Sequence, residues 1–320
     1  MDNFDFTKFY SSLLVIAIVI SLGFFLGKVK WVDRNMNKKL VNLLLSVFMP
    51  ASLLMAFPNE FQTEYTYLFL WGLVGGFATM ISAILISKLI YNKKFFPGDM
   101  SYYGQFAFIF NNATFLGFPL INMAFGFRGV IPYCGFIIAF NLALFSYGVW
   151  IFERKVTLKF IIRVITNPNV IAVLLGMIMF LSGFSFNQEN NIIHKTIYSS
   201  IQYISGATTP LSLICVGFML SNTKIKALLK EWKLLIISII QLVLAPIMTF
   251  IIIKVLLHAP NEVVLICTLI QALPTATSLG LFAEKYGGNV TEASQLVVVS
   301  TLMSIVTMPT IMTILFTTFG

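Results

Sequence analysis

Two stretches of the sequence decide the fold: Phe108–Gly126 reads FIFNNATFLGFPLINMAFG, and Leu269–Gly288 reads LIQALPTATSLGLFAEKYGG. Each stretch carries polar residues, glycine and proline in the middle of an otherwise apolar run. Proline removes a backbone donor and glycine permits non-helical geometry, so Pro119 and Pro274 are expected to interrupt helices. In a membrane, the backbone groups freed at such interruptions must face protein or a water-filled cavity rather than lipid.

The composition indicates a membrane environment. Of the 320 residues, 58% are hydrophobic and only 10% are charged, and the mean hydropathy is +0.90. Soluble domains are about half apolar and about a quarter charged, so we expect an all-α integral membrane protein. Counting apolar spans of about 20 residues predicts ten transmembrane helices, near 9–27, 40–57, 66–90, 101–124, 129–152, 161–184, 196–221, 234–257, 261–284 and 292–317.

The basic residues predict the orientation of these spans. Of the 21 Lys and Arg residues, seventeen lie in the loops before spans two, four, six, eight and ten or at their edges, and four lie on the other side. Cytoplasmic loops carry the excess of Lys and Arg, so both termini are expected outside the cell membrane. Because the net charge of +9 resides in short loops and not on a soluble face, a nucleic-acid partner is not expected.

The two interrupted stretches are related by an internal repeat. ATFLG at 113–117 recurs as ATSLG at 276–280, and P-x-S-L at 50–53 recurs at 210–213, at offsets of 163 and 160 residues. We divide the chain into a first five-helix repeat at 1–152, a connector at 153–160 and a second repeat at 161–320. An odd number of spans forces the two halves to enter the membrane from opposite sides, the inverted-repeat architecture of secondary transporters.

Broken helices at equivalent repeat positions are typical of a substrate site, where half-helix amino termini favour an anion. The polar and helix-breaking residues around the two interruptions, together with one polar residue of the fifth span, are the expected substrate ligands: Asn111, Asn112, Thr114, Gly117, Pro119, Asn141, Gln271, Pro274, Thr275, Thr277 and Ser278.

The rest of the sequence does not favour a metal centre or an enzyme. No Asp or Glu falls in the middle of a predicted span, and the three cysteines have no paired spacing. No cofactor is expected, and the one metal considered is a weakly held sodium ion on the neutral oxygens of Asn112, Thr277, Ser300 and Ser304. A membrane-embedded enzyme would need a nucleophile with a base or a metal cluster, and a receptor would need a soluble output domain.

Four motifs make the sequence similar to the auxin efflux carrier family, which includes plant auxin exporters and bacterial malate and malonate permeases. They are NNATFLGFPL from Asn111, NPNVIAVLLG from Asn167, GATTPLSLICVG from Gly206 and ALPTATSLGLFAEKYGG from Ala272. The resemblance implies ten helices in two inverted repeats, a panel domain beside a core domain, and crossed broken helices four and nine. It also implies organic-anion transport and a homodimer.

Plant members of the family have a long cytoplasmic loop between the two halves. In this sequence Phe152 to Lys159 joins the halves directly. The closer resemblance is therefore to a compact bacterial permease for a dicarboxylate such as malate or malonate, driven by the membrane potential through alternating access. The alternative is a sodium- or proton-coupled organic-acid symporter with the architecture of the related bile-acid symporters.

Ten spans with this charge distribution make a testable prediction. In a variant lacking the native cysteines, single cysteines at Asn3 and Gly320 should react with a membrane-impermeant maleimide added outside cells. Cysteines between Lys224 and Lys233 should react only after the cells are opened. Labelling that places the two termini on opposite faces would contradict an even number of spans.

Overall fold

The computed structural model of the chain describes residues 6–56, 62–92, 94–153, 165–182, 192–221 and 231–319, together with Ile162. The described residues are almost entirely helical. The helices are α1 (Phe6–Lys28), α2 (Arg34–Leu43), α3 (Met49–Leu54), α4 (Thr63–Ile90), α5 (Met100–Ile109), α6 (Phe118–Ala143), α7 (Val149–Glu153), α8 (Pro168–Ser182), α9 (Ile192–Gly206), α10 (Thr208–Ser221), α11 (Trp232–Ile239), α12 (Ala245–Phe250), α13 (Asn261–Ala272), α14 (Ser278–Tyr286) and α15 (Val290–Phe319).

Six helical stretches of the described residues are long and apolar enough to cross a bilayer: Phe9–Lys28, Thr63–Ile90, Ala113–Glu153, Ile192–Ser221, Trp232–Leu256 and Val290–Ile314. Two shorter apolar helices, Pro168–Ser182 and Asn261–Ala272, accompany them. The stretch Ala113–Glu153 has 41 residues, about twice the number that one crossing needs. Gly126 divides it, with φ 61° and ψ −156°, a conformation that glycine alone adopts readily. The chain thus has the helices of a multi-pass membrane protein.

The helix bounds differ from the predicted spans where a polar turn precedes the apolar run. The second span was expected from residue 40, but α2 begins at Arg34 because the Asp33 carboxylate accepts a hydrogen bond from the Met36 amide at 2.6 Å. Hydropathy finds the part of a helix that lies in lipid and does not find its capped end. The seventh span is divided into α9 and α10 at Ala207.

Three prolines lie two residues after a widened π-type turn, in which an amide bonds the carbonyl five residues earlier. These turns are Leu44–Phe48, Ala113–Gly117 and Ile240–Leu244, before Pro50, Pro119 and Pro246. Two further π-type turns span Leu144–Gly148 and Ile251–Leu256. Proline cannot donate to the preceding turn and its ring crowds it, so a wider turn accommodates the residue without ending the helix.

The helices pack into two bundles. The panel bundle contains α1–α3 and α8–α10, in which α1 packs along α10 and α3 packs on α8 and α9. The core bundle contains α4–α7 and α11–α15, in which the largest contact is between α4 and α6. The two bundles meet where α1, α8 and α10 approach α6 and the π-type turn Ala113–Gly117.

Glycines allow the closest helix crossings inside each bundle. A Cβ atom built on Gly135 of α6 would overlap the carbonyl oxygen of Phe69 in α4, and one on Gly72 would overlap that of Pro132. In the panel bundle, a Cβ on Gly217 of α10 would overlap the carbonyl oxygen of Ile20 in α1. Backbone cannot give way as a flexible side chain does, so these positions require glycine.

We expect Gly135→Ala to destabilise the protein by about 1–3 kcal/mol because the added methyl group separates α4 from α6. Gly206→Ala is the matched control, since a Cβ at Gly206 would meet no atom within 4 Å. Thermal unfolding of the purified protein in detergent should show a lower midpoint for Gly135→Ala only. Equal midpoints for both variants would contradict the close crossing.

Candidate functional site

The two helix interruptions lie against each other. The second falls at Pro274 as expected, but the first falls at residues 110–112 and not at Pro119, which is helical because the wide turn Ala113–Gly117 accommodates it. Helix α5 ends at Ile109 and α13 ends at Ala272, and the chain that follows each is extended. Asn111 and Thr275 form an isolated antiparallel bridge. The Asn112 amide donates to the Pro274 carbonyl at 2.7 Å, and the Ala276 amide donates to the Phe110 carbonyl at 2.9 Å. The backbone groups released by one break therefore bond those released by the other. We call residues 110–112 and 273–277 together the crossover.

The far edge of the second break is bonded by side chains. In an extended chain, alternate residues direct their backbone groups to opposite sides. Leu273 directs its carbonyl away from the first break and accepts a hydrogen bond from Gln241 Nε2 at 3.0 Å. The Thr275 amide donates to Ser300 Oγ at 3.1 Å. Gln241 and Ser300 thus occupy the place of a neighbouring strand.

The first break is capped by its own residues. Asn112 Oδ1 accepts a hydrogen bond from the Phe115 amide at 3.2 Å, and the Asn112 carbonyl accepts from Gly117 at 3.0 Å. Tyr133 of α6 donates its hydroxyl to the Ala113 carbonyl at 3.2 Å. A Cβ on Gly117 would lie 2.8 Å from Leu273 Cδ1, so glycine here lets the two breaks approach closely.

The second break leaves its helix amino terminus without a side-chain cap. Thr277 precedes α14 and makes no capping hydrogen bond, and Ser278, the first residue of α14, is partly exposed. The amino terminus of a helix carries a partial positive charge of about half an elementary charge. The two broken helices therefore differ: the half-helix after Asn112 has a side-chain cap, and the half-helix after Thr277 has none.

Buried amides beside the crossover have hydrogen-bonding capacity left over. Asn111 Nδ2 donates to Gln271 Oε1 at 2.5 Å, across 160 residues of sequence. Asn111 Oδ1, Gln271 Nε2 and Asn112 Nδ2 are buried and have no hydrogen-bond partner in the structure. An unpaired buried polar group costs about 1–3 kcal/mol. A ligand that bonds these atoms would remove that cost.

The structure does not join every predicted ligand to the crossover. Asn141 donates to the Ile137 carbonyl of its own helix at 2.8 Å, and Ser304 donates to the Thr301 carbonyl of its own helix at 2.8 Å. No hydrogen bond described in this structure connects either residue to the crossover. Thr114 is partly exposed beside Asn112, and Pro119 is the second residue of α6.

Besides Ser304, two more of the four predicted sodium ligands already have hydrogen-bond partners. Ser300 Oγ accepts from Thr275 and donates to the Val297 carbonyl at 3.0 Å, and Asn112 Oδ1 caps Phe115. Within the described ranges, no group of three or more His, Cys, Asp or Glu residues is placed to hold a metal ion. The proposed sodium site thus depends on atoms that the protein uses for its own backbone.

Acidic residues of the described core bundle lie at helix ends. Glu64 and Glu262 are in the first turns of α4 and α13, and Arg128 bonds both of them, the latter at 2.9 Å. Glu284 lies near the carboxyl end of α14 and is exposed. The crossover itself contains amides, hydroxyls and backbone groups, with no charged residue among 110–112 and 273–277.

Gln241 was missed when the ligands were predicted from sequence. It is the one amide side chain, with Ser238 as the other polar residue, in the otherwise apolar run IISIIQLVLAP at 236–246, and this was the available signal. A polar side chain in the middle of an apolar span is expensive in lipid and marks an interaction inside the protein.

Comparisons with known proteins identify the class of protein to which this chain is similar. Residues 152–312, just over half of the chain, match the family described as membrane transport protein. The chain is also similar to an uncharacterized transporter of Methanocaldococcus jannaschii, with 26% identity over 227 residues. That match covers 67% of this chain and 70% of the archaeal protein.

The bond between Asn111 and Gln271 should be measurable as a coupling in unfolding. Asn111→Leu and Gln271→Met each leave one buried amide without its partner, so the double variant should lose about 0.5–1.5 kcal/mol less than the two single losses together. Thermal or denaturant unfolding in detergent gives the three values. The control pairs Asn111→Leu with Ser221→Ala of α10, whose hydroxyl bonds its own helix, and should be additive. Additivity in both cycles would contradict the contact.

Proposed function

Because this chain belongs to the membrane transport protein family, we propose that it is a secondary transporter of a small organic anion, a dicarboxylate such as malate or malonate. The family is the one that the sequence motifs resemble, so that expectation is confirmed, and the chain is a multi-pass transporter and not an enzyme. The substrate and the mechanism of transport are our proposal.

The proposed architecture has ten transmembrane helices in two inverted repeats, 1–152 and 161–320, in the cell membrane with both termini outside. The antiparallel meeting of the two breaks supports opposite directions for the halves. The Thr208 hydroxyl donates to the Phe48 carbonyl at 2.8 Å, and these two residues are separated by the 160-residue offset of the P-x-S-L repeat. Near a pseudo-two-fold axis, equivalent positions of two repeats come into contact in this way.

The observation that carries the anion proposal is the set of unpaired amide donors beside an uncapped helix. Asn112 Nδ2 and Gln271 Nε2 are buried donors without partners. The amino terminus of α14 adds a positive potential, and no carboxylate of the crossover opposes it. Hydrogen bonds from such donors to a charged acceptor are worth about 1.5–3 kcal/mol each. A carboxylate supplies acceptor oxygens for both.

Alternating access requires that one bundle move against the other. Two contacts between the bundles are described near the end of the molecule that we place outside: Tyr10 of α1 bonds Thr313 of α15 at 2.5 Å, and the ring of Tyr65 lies 6.3 Å from that of Phe180. Opening the site outward would separate both pairs. The contacts between bundles near the crossover involve the turn Ala113–Gly117, which is part of the site.

The membrane potential can drive export without a coupled cation. Each negative charge that leaves the cell gains about 2.3 kcal/mol per 100 mV, and the crossover contains no carboxylate that would hold a proton or sodium ion. The alternative, a sodium- or proton-coupled symporter, would use neutral oxygens, of which Asn112 Oδ1 and Ser300 Oγ are already hydrogen-bonded. A homodimer is the expected assembly.

Capacitive currents from proteoliposomes test the proposal. A panel of mono-, di- and tricarboxylates should give the largest current with a dicarboxylate, at the same size with and without sodium and at fixed pH. A current that requires sodium, or that follows an imposed pH gradient, would select the symporter. The absence of a current with every carboxylate would contradict organic-anion transport.

Asn112→Asp separates ligand binding from folding. The new carboxylate retains an oxygen to cap Phe115 but removes the Nδ2 donor and adds a charge that repels the substrate. We expect dicarboxylate affinity to fall by about tenfold or more, from the loss of one bond to a charged group. Asn169→Asp, in the first turn of α8 in the panel bundle, is the control and should bind normally. Substrate-induced thermal shift measures both, and wild-type affinity in Asn112→Asp would defeat the assignment.

A further inference from the structure

We infer that Gln241 is a positioning residue of the transport site: its side-chain amide holds the second break in the extended form that the substrate meets. The inference rests on the proposed function, because it names the residue that keeps the same crossover open. No hydrogen bond described here joins Gln241 to Asn112 or Thr277. It acts through Leu273 and through Thr275, the one expected ligand that it bonds.

Gln241 is placed for this role by a local distortion of its helix. It is the second residue of the π-type turn Ile240–Leu244, five residues before Pro246, and only 1% of its surface is exposed. The turn lies between α11 and α12, which pack on α15 and α13. Short π-type turns reposition the side chains they contain and occur frequently at functional sites.

Both polar atoms of the Gln241 amide are used at the crossover. Its Nε2 donates to the Leu273 carbonyl at 3.0 Å, and its Oε1 accepts from the Thr275 hydroxyl at 2.8 Å. In a continuous helix, the Leu273 carbonyl would accept from the amide four residues later, that of Thr277. Because lipid offers no hydrogen bond, the extended form requires another donor for that carbonyl. Gln241 supplies the donor and thereby favours the extended form over the helical one.

The position of Leu273 matters to both breaks. The next residue, Pro274, accepts the Asn112 amide through its carbonyl, and Ala276 donates to Phe110. The Leu273 side chain also packs beside Gly117 of the first break. A change in the backbone conformation of residues 273–275 therefore moves Asn112 and the amino terminus of α14.

The chain contains a second glutamine with the same bonding but away from the crossover. Gln105 Nε2 donates to the Tyr91 carbonyl at 3.0 Å, and its Oε1 accepts from the Tyr147 hydroxyl at 3.2 Å. Gln105 is also buried, with 8% of its surface exposed. It connects α5 to the end of α4 and to the turn Leu144–Gly148, so its loss removes equivalent bonds from the same bundle.

The test compares Gln241→Met with Gln105→Met in the full chain, reconstituted in proteoliposomes. Methionine keeps the length of the side chain and removes both hydrogen bonds. The wild-type protein is measured first with malate and malonate, and a lack of current at this stage would be a failure of the proposed function and not of this inference. We expect Gln241→Met to raise the half-saturating concentration of the dicarboxylate by about tenfold, since the binding groups are misplaced.

Gln105→Met should lower thermal stability about as much as Gln241→Met does. Its half-saturating concentration should stay within about twofold of wild type, well below the roughly tenfold change expected for Gln241→Met. If both methionine variants shift half-saturation equally, or if Gln241→Met leaves it unchanged, the positioning role is overturned.

Should Gln241→Met fail to fold, Gln241→Asn keeps the polarity but shortens the amide so that it cannot reach both partners. Paired with Gln105→Asn, it must show the same contrast, and an unchanged half-saturating concentration would equally overturn the inference.

Discussion

The antiparallel pairing of two interrupted helices is the interaction on which the rest of the structure depends. An extended backbone inside a bilayer releases amides and carbonyls that lipid cannot bond, and each such group costs several kcal/mol when left alone. Here, Asn112 bonds Pro274 and Ala276 bonds Phe110, so each break supplies the partners of the other. Neither half of the chain could keep its interruption in lipid alone, and the two must fold together.

The pairing is completed unequally on its two sides. The first break is capped by Asn112 and bonded by Tyr133, while the second is bonded by Gln241 and Ser300 and leaves the start of α14 uncapped. One half-helix is thus satisfied by its own side chain, and the other has no side-chain cap. In the transport function that we propose, this inequality orients a negatively charged group without a basic residue at the crossover.

Much of the candidate site could be predicted from the sequence because proline, glycine and clustered polar residues are rare together in an apolar span. Asn111, Asn112 and Thr275 were found in this way and lie in the crossover, and Gln271, also found in this way, bonds Asn111 from the adjoining helix. Asn141 and Ser304 carry the same polar groups, yet each bonds its own helix. Composition cannot distinguish these cases, since the choice between a bond within a helix and one across helices depends on rotation and packing. Gln241 lay outside the two motifs and could be assigned only from the atoms it reaches.

The sequence by itself determined that this chain enters a membrane many times and that two of its segments cannot remain helical. Those are properties of single segments: apolar length, missing amide donors and residues that tolerate non-helical geometry. The tertiary structure alone decided that Asn111 meets Thr275, that Gln241 bonds Leu273, and that the start of α14 remains uncapped. Such contacts join residues far apart in the chain, so they depend on how the helices pack, as at Gly135, where the backbones of α6 and α4 approach closely.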